Sequence, residues 1–373
     1  MFSSRLDWNL ETNRLSALLK SKQRVLDLTE SNPMHAGLNY PREEILGALA
    51  DAHALRYDPE PRGLLSAREA VAKYYGDVPA SRILLTASTS EAYSYLFKLL
   101  CDPGDEILSP RPSYPLFEFL AGLESVRVVQ YPLRYDGAWH IDFDALERAI
   151  TPRTRAIVVV NPNNPTGSFL KREEWARLER LGIPILSDEV FSDYAFLPDD
   201  SRVRSLTKAP EAPAFSMSGL SKIAGLPQIK LGWIVASGPG HEEALDRLEL
   251  IADTYLSVAT PVQIALPRLL DAAVAVRGQI LDRTRANLAL LRRMTGKSAA
   301  RPLHVEGGWS AVLQVPRTRS EEEWAIALLD RRDVLVQPGY YFDFDSEAFL
   351  VVSLLTPPDV FEEGLRRLLE EIG

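Results

Sequence analysis

Between Ala214 and Ser237 the chain carries two ionisable side chains, Lys222 and Lys230, and no acid. A buried amine without a carboxylate partner gives up its proton readily, because desolvation disfavours the charged form, and the neutral amine attacks aldehydes. Lys222 is therefore a candidate for Schiff-base formation with an aldehyde cofactor, with Lys230 facing a phosphate. Lysines that snorkel to water or reach distant carboxylates show the same local composition, so this stretch alone leaves both readings open. Asp188 follows the apolar run Ile183–Ser187, a costly place for a carboxylate unless a cation meets it. A protonated pyridine nitrogen is such a cation, and a carboxylate that keeps it charged preserves an electron sink. Aspartate is also a good helix N-cap, and one side chain can serve both roles. Ser88-Thr89-Ser90-Glu91 reads as a capping box opening a helix, whose first amides suit a phosphate. Tyr114 offers a flat face to a ring, and the Asn164 amide can donate to a phenolate oxygen. Packing and turn chemistry are the ordinary roles of those two residue types.

The elements that must position these residues follow a pattern. Short β-branched runs at Arg82–Thr86, Glu106–Ser109, Val126–Tyr131, Ala156–Val160, Ile183–Ser187, Ala214–Met217 and Leu231–Ala236 read as strands. Helical periodicity lies between most of them, as in Ser90–Leu100, Phe143–Ala149 and Arg172–Leu181. The alternation predicts an α/β fold with a mostly parallel seven-stranded sheet flanked by helices. Ligands of such sheets bind beyond the carboxyl ends of the strands, and each candidate above follows a strand end. Beyond Gly238 charged amphipathic helices dominate (Glu242–Leu256, Arg277–Met294, Glu321–Arg332, Val360–Ile372), with strands at Ser310–Val315 and Phe349–Leu354. The expected organisation is a segment 1–45 that joins a small domain, a large ligand-binding domain over 46–275, and a smaller α+β domain over 276–373.

At 373 residues and 46% hydrophobic, the chain can bury a substantial core. Its net charge of -9, without a basic cluster, argues against nucleic acid and for a small-molecule ligand. Cys101 is the only cysteine, so no intrachain disulfide and no cysteine-based metal site are expected, and a reducing, cytoplasmic setting fits. Met1–Asn13 has no apolar run of the kind a signal peptide needs, and no stretch reads as a membrane span. The first strand leads into Ala87-Ser88-Thr89 without a Gly-x-Gly-x-x-Gly turn, which sets aside a dinucleotide-binding enzyme.

Asn163-Asn164-Pro165-Thr166-Gly167, Ser187-Asp188-Glu189-Val190 and Ser218-Gly219-Leu220-Ser221-Lys222, in that order and spacing, resemble the class I/II aminotransferases of the fold-type I pyridoxal-phosphate superfamily. The resemblance covers nearly the whole chain. Thr29–Pro33 looks like the N-terminal substrate loop, so Ser31 and Asn32 are expected near substrate. Tyr57–Gly63 looks like the segment whose tyrosine reaches the partner subunit's phosphate. Asp102–Asp105, Gly307–Trp309 and Pro338–Gly339 also fit. The resemblance implies pyridoxal 5'-phosphate on Lys222, which also shuttles a proton. It implies Asp188 on the pyridine nitrogen, Asn164 on the ring hydroxyl and Tyr114 stacked on the ring. The phosphate would be held by Ser88, Thr89, Ser90, Ser221 and Lys230, with Tyr57 from the other subunit of a homodimer. Amino transfer between an amino donor and a keto acceptor is the implied activity. Lyases and decarboxylases use the same apparatus, and motifs at the cofactor do not separate them. A non-catalytic pyridoxal-phosphate-binding domain fits less well with Lys222, Asp188 and Asn164 all present.

Four positions depart from the family pattern. Phe191 stands where many members have a tyrosine, Lys230 replaces an arginine, and Gly219 replaces a serine, which leaves open whether Ser218 compensates. In Phe349–Leu354, Val351 takes the place of an arginine that forks onto the substrate's α-carboxylate. Valine cannot hold a carboxylate. Arg62 and Arg111 are loop cations able to replace it, whereas Arg366 and Arg367 fall on the following helix. The expectation is a non-standard carboxylate site on which ordinary α-amino acids are poor substrates.

Overall fold

The computed structural model of the chain describes residues 2–76, 78–208 and 210–373. Eight strands form its large sheet: β1 (Ile83–Thr86), β2 (Glu106–Arg111), β3 (Arg127–Tyr135), β4 (Trp139–Ile141), β5 (Thr154–Val160), β6 (Ile185–Asp188), β7 (Ala214–Gly219) and β8 (Gly232–Ser237). Their order across the sheet is β1-β8-β7-β6-β5-β2-β3-β4. β2, β3, β5, β6 and β7 run parallel. β8 is antiparallel to both its neighbours, β7 and β1, and β4 folds back antiparallel on β3. The mostly parallel α/β sheet is as expected, with an eighth strand added. β4 spans three residues, too few to establish an alternating pattern in sequence. β6 begins two residues later than expected, past Pro184, whose missing N–H cannot join a central ladder.

The inner strands are apolar on both faces because both faces are covered. Ile107, Val158, Leu186, Phe215 and Ile234 pack against the helices α1 (Thr89–Leu100), Phe117–Leu123 and His241–Asp253. The alternate residues Leu108, Ile157, Val159 and Ile185 pack with Phe143, Leu146 and Leu178 of the helices Phe143–Ala149 and Arg172–Arg180. Two helices not anticipated from sequence, Arg42–Leu49 and Leu65–Tyr75, bury Ile45, Ala48, Ala67 and Val71 beside Trp233 and Val235.

A second sheet, antiparallel, is built from Arg301–Pro302, β9 (Ser310–Gln314), β10 (Phe349–Ser353) and Gln337–Pro338. It shares a core with both chain ends: Leu15 and Leu28 are buried with Trp324, Phe361 and Leu365. Leu26–Asp27 pairs in parallel with Val334–Leu335. The helix α3 (Thr260–Thr295) links the two cores, burying Leu266 and Leu269 against the large sheet and Leu288 and Leu291 against the small one. It passes through positions 275 and 276 without a break.

Candidate active site

A cavity of about 440 Å³ opens between the carboxyl ends of the large sheet and one face of the small sheet. From the large sheet it receives Ser88 and Thr89 after β1, Tyr114 after β2 and Asn164 after β5. Asp188 comes from the end of β6, and Gly219, Ser221 and Lys222 from the end of β7 and the helical turn Leu220–Ile223 (α2). The parallel register explains the convergence. Val160, Asp188 and Met217 are cross-strand neighbours at the same height, so the loops leaving β5, β6 and β7 start side by side.

Close backbone approach shapes the site at two glycines. A Cβ on Gly219 would lie 2.8 Å from the carbonyl oxygen of Leu231, so a side chain there would drive β7 and β8 apart. A Cβ on Gly307 would lie 2.5 Å from the carbonyl oxygen of Tyr194. Gly307 instead donates its N–H to the carbonyl of Gly167, which joins the turn after β5 to the segment that carries Trp309. Glu306, buried, accepts from Lys171 and Arg202 and adds an ionic link at the same junction.

Burial pushes the Lys222 amine below the usual lysine range, with the nearby Asp188 charge pulling the other way. Its Nζ lies 5.0 Å from the ring centre of Trp309 and 5.6 Å from that of Phe191, and these rings meet edge-on. Tyr194 donates its hydroxyl to the Lys222 carbonyl at 2.6 Å, anchoring the turn. Burial raises the Asp188 carboxyl to about 6, against the N–H of Val190, the hydroxyl of Tyr93 and the charge of Lys222, which all lower it. Tyr93 donates to Asp188 Oδ2 at 3.2 Å and Val190 N–H to Oδ1 at 3.2 Å. Ser310 donates to Asn164 Oδ1 at 3.3 Å, a bond that does not use the asparagine's amide hydrogens.

Ser88 caps α1 by accepting the N–H of Glu91, but Glu91 reaches back to the N–H of Ala87 instead of Ser88. The expected capping box is thus displaced by one residue on its return bond. Ser31 lines the cavity, whereas Asn32 spends its side chain on Met34 and His35 in its own turn. Ser90 is exposed on the first turn of α1, and Lys230 is exposed in a left-handed conformation (φ 33°); neither lines the cavity. Tyr57 is 79% exposed and borders a separate small pocket with Tyr95 and Gln263. Ser218 is buried, and its hydroxyl meets no partner among the described residues. Arg62 is held by Asp246 and Glu249, and Arg111 by Asp345. Neither arginine lines the cavity. Tyr93 and Tyr194 went unread in the sequence: a buried hydroxyl whose partner lies 95 residues away in the chain leaves no local signal.

The family model for aminotransferase class I and II matches residues 23–368. The chain belongs to this family. It is a pyridoxal-phosphate-dependent aminotransferase, and similar proteins carry names of that kind. The glutamate-pyruvate aminotransferase AlaA of Haemophilus influenzae is 25% identical over 92% of this chain and 90% of its own length. The alanine aminotransferase of Mycobacterium bovis is 28% identical over 94% of this chain and 85% of its own. Among solved structures, an aminotransferase from Escherichia coli superposes with a TM-score of 0.87 at 24% identity, covering 100% of this chain and 98% of that one. The N-succinyldiaminopimelate aminotransferase of Mycobacterium tuberculosis gives 0.84 at 25% identity, covering 99% and 100%.

The cavity of this aminotransferase fits the cofactor. Asp188 is a buried carboxylate that meets an amide and a phenol but, among the described residues, no cation within ion-pair distance, which suits a protonated ring nitrogen. The first amides of α1, which have no partners within their own helix, suit a phosphate. No helix among the described residues is long and apolar enough to cross a membrane.

Proposed function

We propose that this aminotransferase holds pyridoxal phosphate on Lys222 and transfers an amino group with it. The observation that carries the reading is that one cavity brings together the Lys222 amine and a buried carboxylate, Asp188, that meets no cation within ion-pair distance among the described residues. When bound, the cofactor supplies an aldehyde carbon for exchange of amines and a pyridine ring that takes up the electrons released at the substrate carbon.

Asp188 keeps a proton on the ring nitrogen, and Tyr93 and the Val190 amide hold that carboxylate in place. Lys222, whose burial favours the neutral amine, provides the attachment and then moves a proton at Nζ. The Asn164 amide orients the ring hydroxyl, and Tyr114 covers the ring. Ser88, Thr89, Ser221 and the amides of the first turn, including that of Ser90, bind the phosphate. Lys230 adds positive charge from outside the cavity. Ser31 contacts substrate, with Asn32 shaping its turn. Phe191 and Trp309 keep water from the amine.

The active unit in this reading is a homodimer in which Tyr57 reaches the partner subunit's phosphate. Its large domain is 46–275, and 1–45 joins 276–373 in the small one, with α3 as the shared strut. A reducing cytoplasm suits the single Cys101.

Borohydride reduction of the cofactor-loaded protein, followed by peptide mapping, tests the assignment. The label is expected on Lys222. Labelling at another lysine, or none after cofactor addition, defeats it.

A further inference from the structure

One face of the small sheet forms the wall of the cavity opposite Asp188. Residues two apart on a strand share a face, and so do directly paired residues on neighbouring strands. Ser310 pairs with Ser353, and Val312 pairs with Val351, which also pairs with Gln337. These five side chains therefore share one face, while Ala311, Leu313, Leu350 and Val352 on the other enter the core. Ser310, Ser353 and Gln337 line the cavity. Val312 and Val351 are buried behind it with Trp139, Leu303 and Phe342, and Phe342 itself lines the cavity. The N-terminal loop adds Thr29 and Ser31.

Among the described residues lining the cavity, Lys222 is the only cation, and Asp188 the only carboxylate. The hydrogen-bonding groups of the small-sheet wall are neutral, and two of its hydroxyls have already placed their protons. Ser353 donates to the carbonyl of Glu30 at 2.6 Å, and Ser310 to Asn164. Ser353 Oγ also accepts the N–H of Leu355 at 3.1 Å, so each serine keeps at least one lone pair for a ligand. The side-chain amide of Gln337, on the same wall, can both donate and accept. A carboxylate against this wall would meet serine lone pairs and a single neutral amide without a counter-charge, whereas a group that both donates and accepts would match the serines and the Gln337 amide at once.

Resting on the assignment of Lys222 above, we propose that the amino donor is a primary amine bearing a carboxamide or hydroxyl where a free amino acid bears its α-carboxylate. The acceptor enters the same cavity and carries the same kind of group beside its carbonyl. In the transfer, the donor carbon gives up its hydrogen and its amino group, and one water supplies the oxygen with which it leaves as a carbonyl compound. The acceptor carbon would gain that amino group and a hydrogen, its oxygen would leave as water, and the cofactor would return to Lys222.

The test uses holoenzyme and matched donor sets: L-alanine, L-alaninamide and 2-amino-1-propanol, and the corresponding phenylalanine set. Single-turnover loss of the cofactor's visible absorbance gives kcat/KM for each donor. The amide or the alcohol is expected to exceed its matched acid by at least about tenfold, the scale set by an unmatched buried polar group. In Gln337→Arg, which brings a cation into the wall, the acids are expected to gain about tenfold relative to the neutral members. Acids that match or outpace their neutral partners, with Lys222 labelled by borohydride, overturn this inference alone and point to a cation from the partner subunit. A labelled Lys222 with no reaction from any neutral donor also overturns it. An unlabelled Lys222 overturns the cofactor assignment, and this inference with it.

Discussion

The two walls of the cavity are built on different terms. The large-sheet wall gathers Asp188, Lys222, Asn164, Ser88 and Thr89 at strand ends, where a central sheet buried on both faces fixes each loop's origin. The small-sheet wall offers Trp309, Ser310, Gln337, Tyr341, Phe342 and Ser353, with neither cation nor carboxylate. Displacing a charged group from a ring nitrogen or an aldehyde carbon removes the reaction, so the first wall tolerates little change. In the proposed reading, groups on the second wall meet the variable part of a substrate, so the contrast would assign chemistry to one wall and choice of substrate to the other.

The sharpest way to break that contrast is at Lys222. Lys222→Ala should lower turnover at least about a thousandfold, because nucleophile and proton carrier are lost together. Steady-state rates with saturating cofactor check this, and a loss below tenfold would move the chemistry elsewhere. Asp188→Asn should cost about a hundredfold or more in turnover while cofactor remains bound, which absorbance and rate on the same sample would separate.

The same aspartate gives a pH signature in cofactor-free protein. Its folded-state carboxyl is raised by burial from 3.8 to about 6. The folded protein thus holds that proton more tightly than the unfolded chain does. The resulting stabilisation is complete below about pH 4 and is lost as pH rises through about 6. Compared with Asp188→Asn, wild-type protein should lose about 3 kcal/mol across that window, at roughly 1.4 kcal/mol per pKa unit, read from urea midpoints. A difference that does not vary with pH would mean the carboxylate already has a cation in the cofactor-free protein.

Tyr57→Phe should weaken cofactor binding about tenfold, the loss of one hydrogen bond to a charged phosphate. Mixed with Lys222→Ala subunits, it should regain one tight, active site per heterodimer. Heterodimers whose Lys222-bearing site still binds cofactor as weakly as Tyr57→Phe would show that Tyr57 does not act across the interface. The smallest effect is expected at Ser218→Ala. Its hydroxyl is buried without a partner, so removal should leave stability unchanged or raise it by up to about 1 kcal/mol, with turnover intact. A clear loss of turnover would make Ser218 the stand-in for the serine absent at Gly219.

Much of the first wall was readable along the chain. A carboxylate ending an apolar strand, a lysine pair in an acid-free stretch and a hydroxyl cluster opening a helix are local anomalies, and each lies within a few residues of the element that positions it. The helix Glu321–Arg332 and the helix Phe143–Ala149 carry their periodicity within themselves, and both appear with the anticipated bounds. The antiparallel β4 and the helices Arg42–Leu49 and Leu65–Tyr75 did not stand out, because β4 is three residues long and each helix buries only two residues, which become meaningful only against a partner surface. Arg62 and Arg111 show the same limit. From sequence each is a free loop cation, yet Asp246, Glu249 and Asp345 occupy them in space.

The sequence by itself determined the alternation of strand and helix, the order of the motifs and which residue types stand at the strand ends. These depend on period and residue type, which are properties of short segments. Only the tertiary structure decided that Tyr93 holds Asp188, that Phe191 and Trp309 flank the Lys222 amine, and that Gly167 meets Gly307 to bring the small sheet over the site. It also decided that Val351 sits on a face with no charge to offer. Those facts depend on which distant segments share a surface, and that is settled by burial and register across the whole fold.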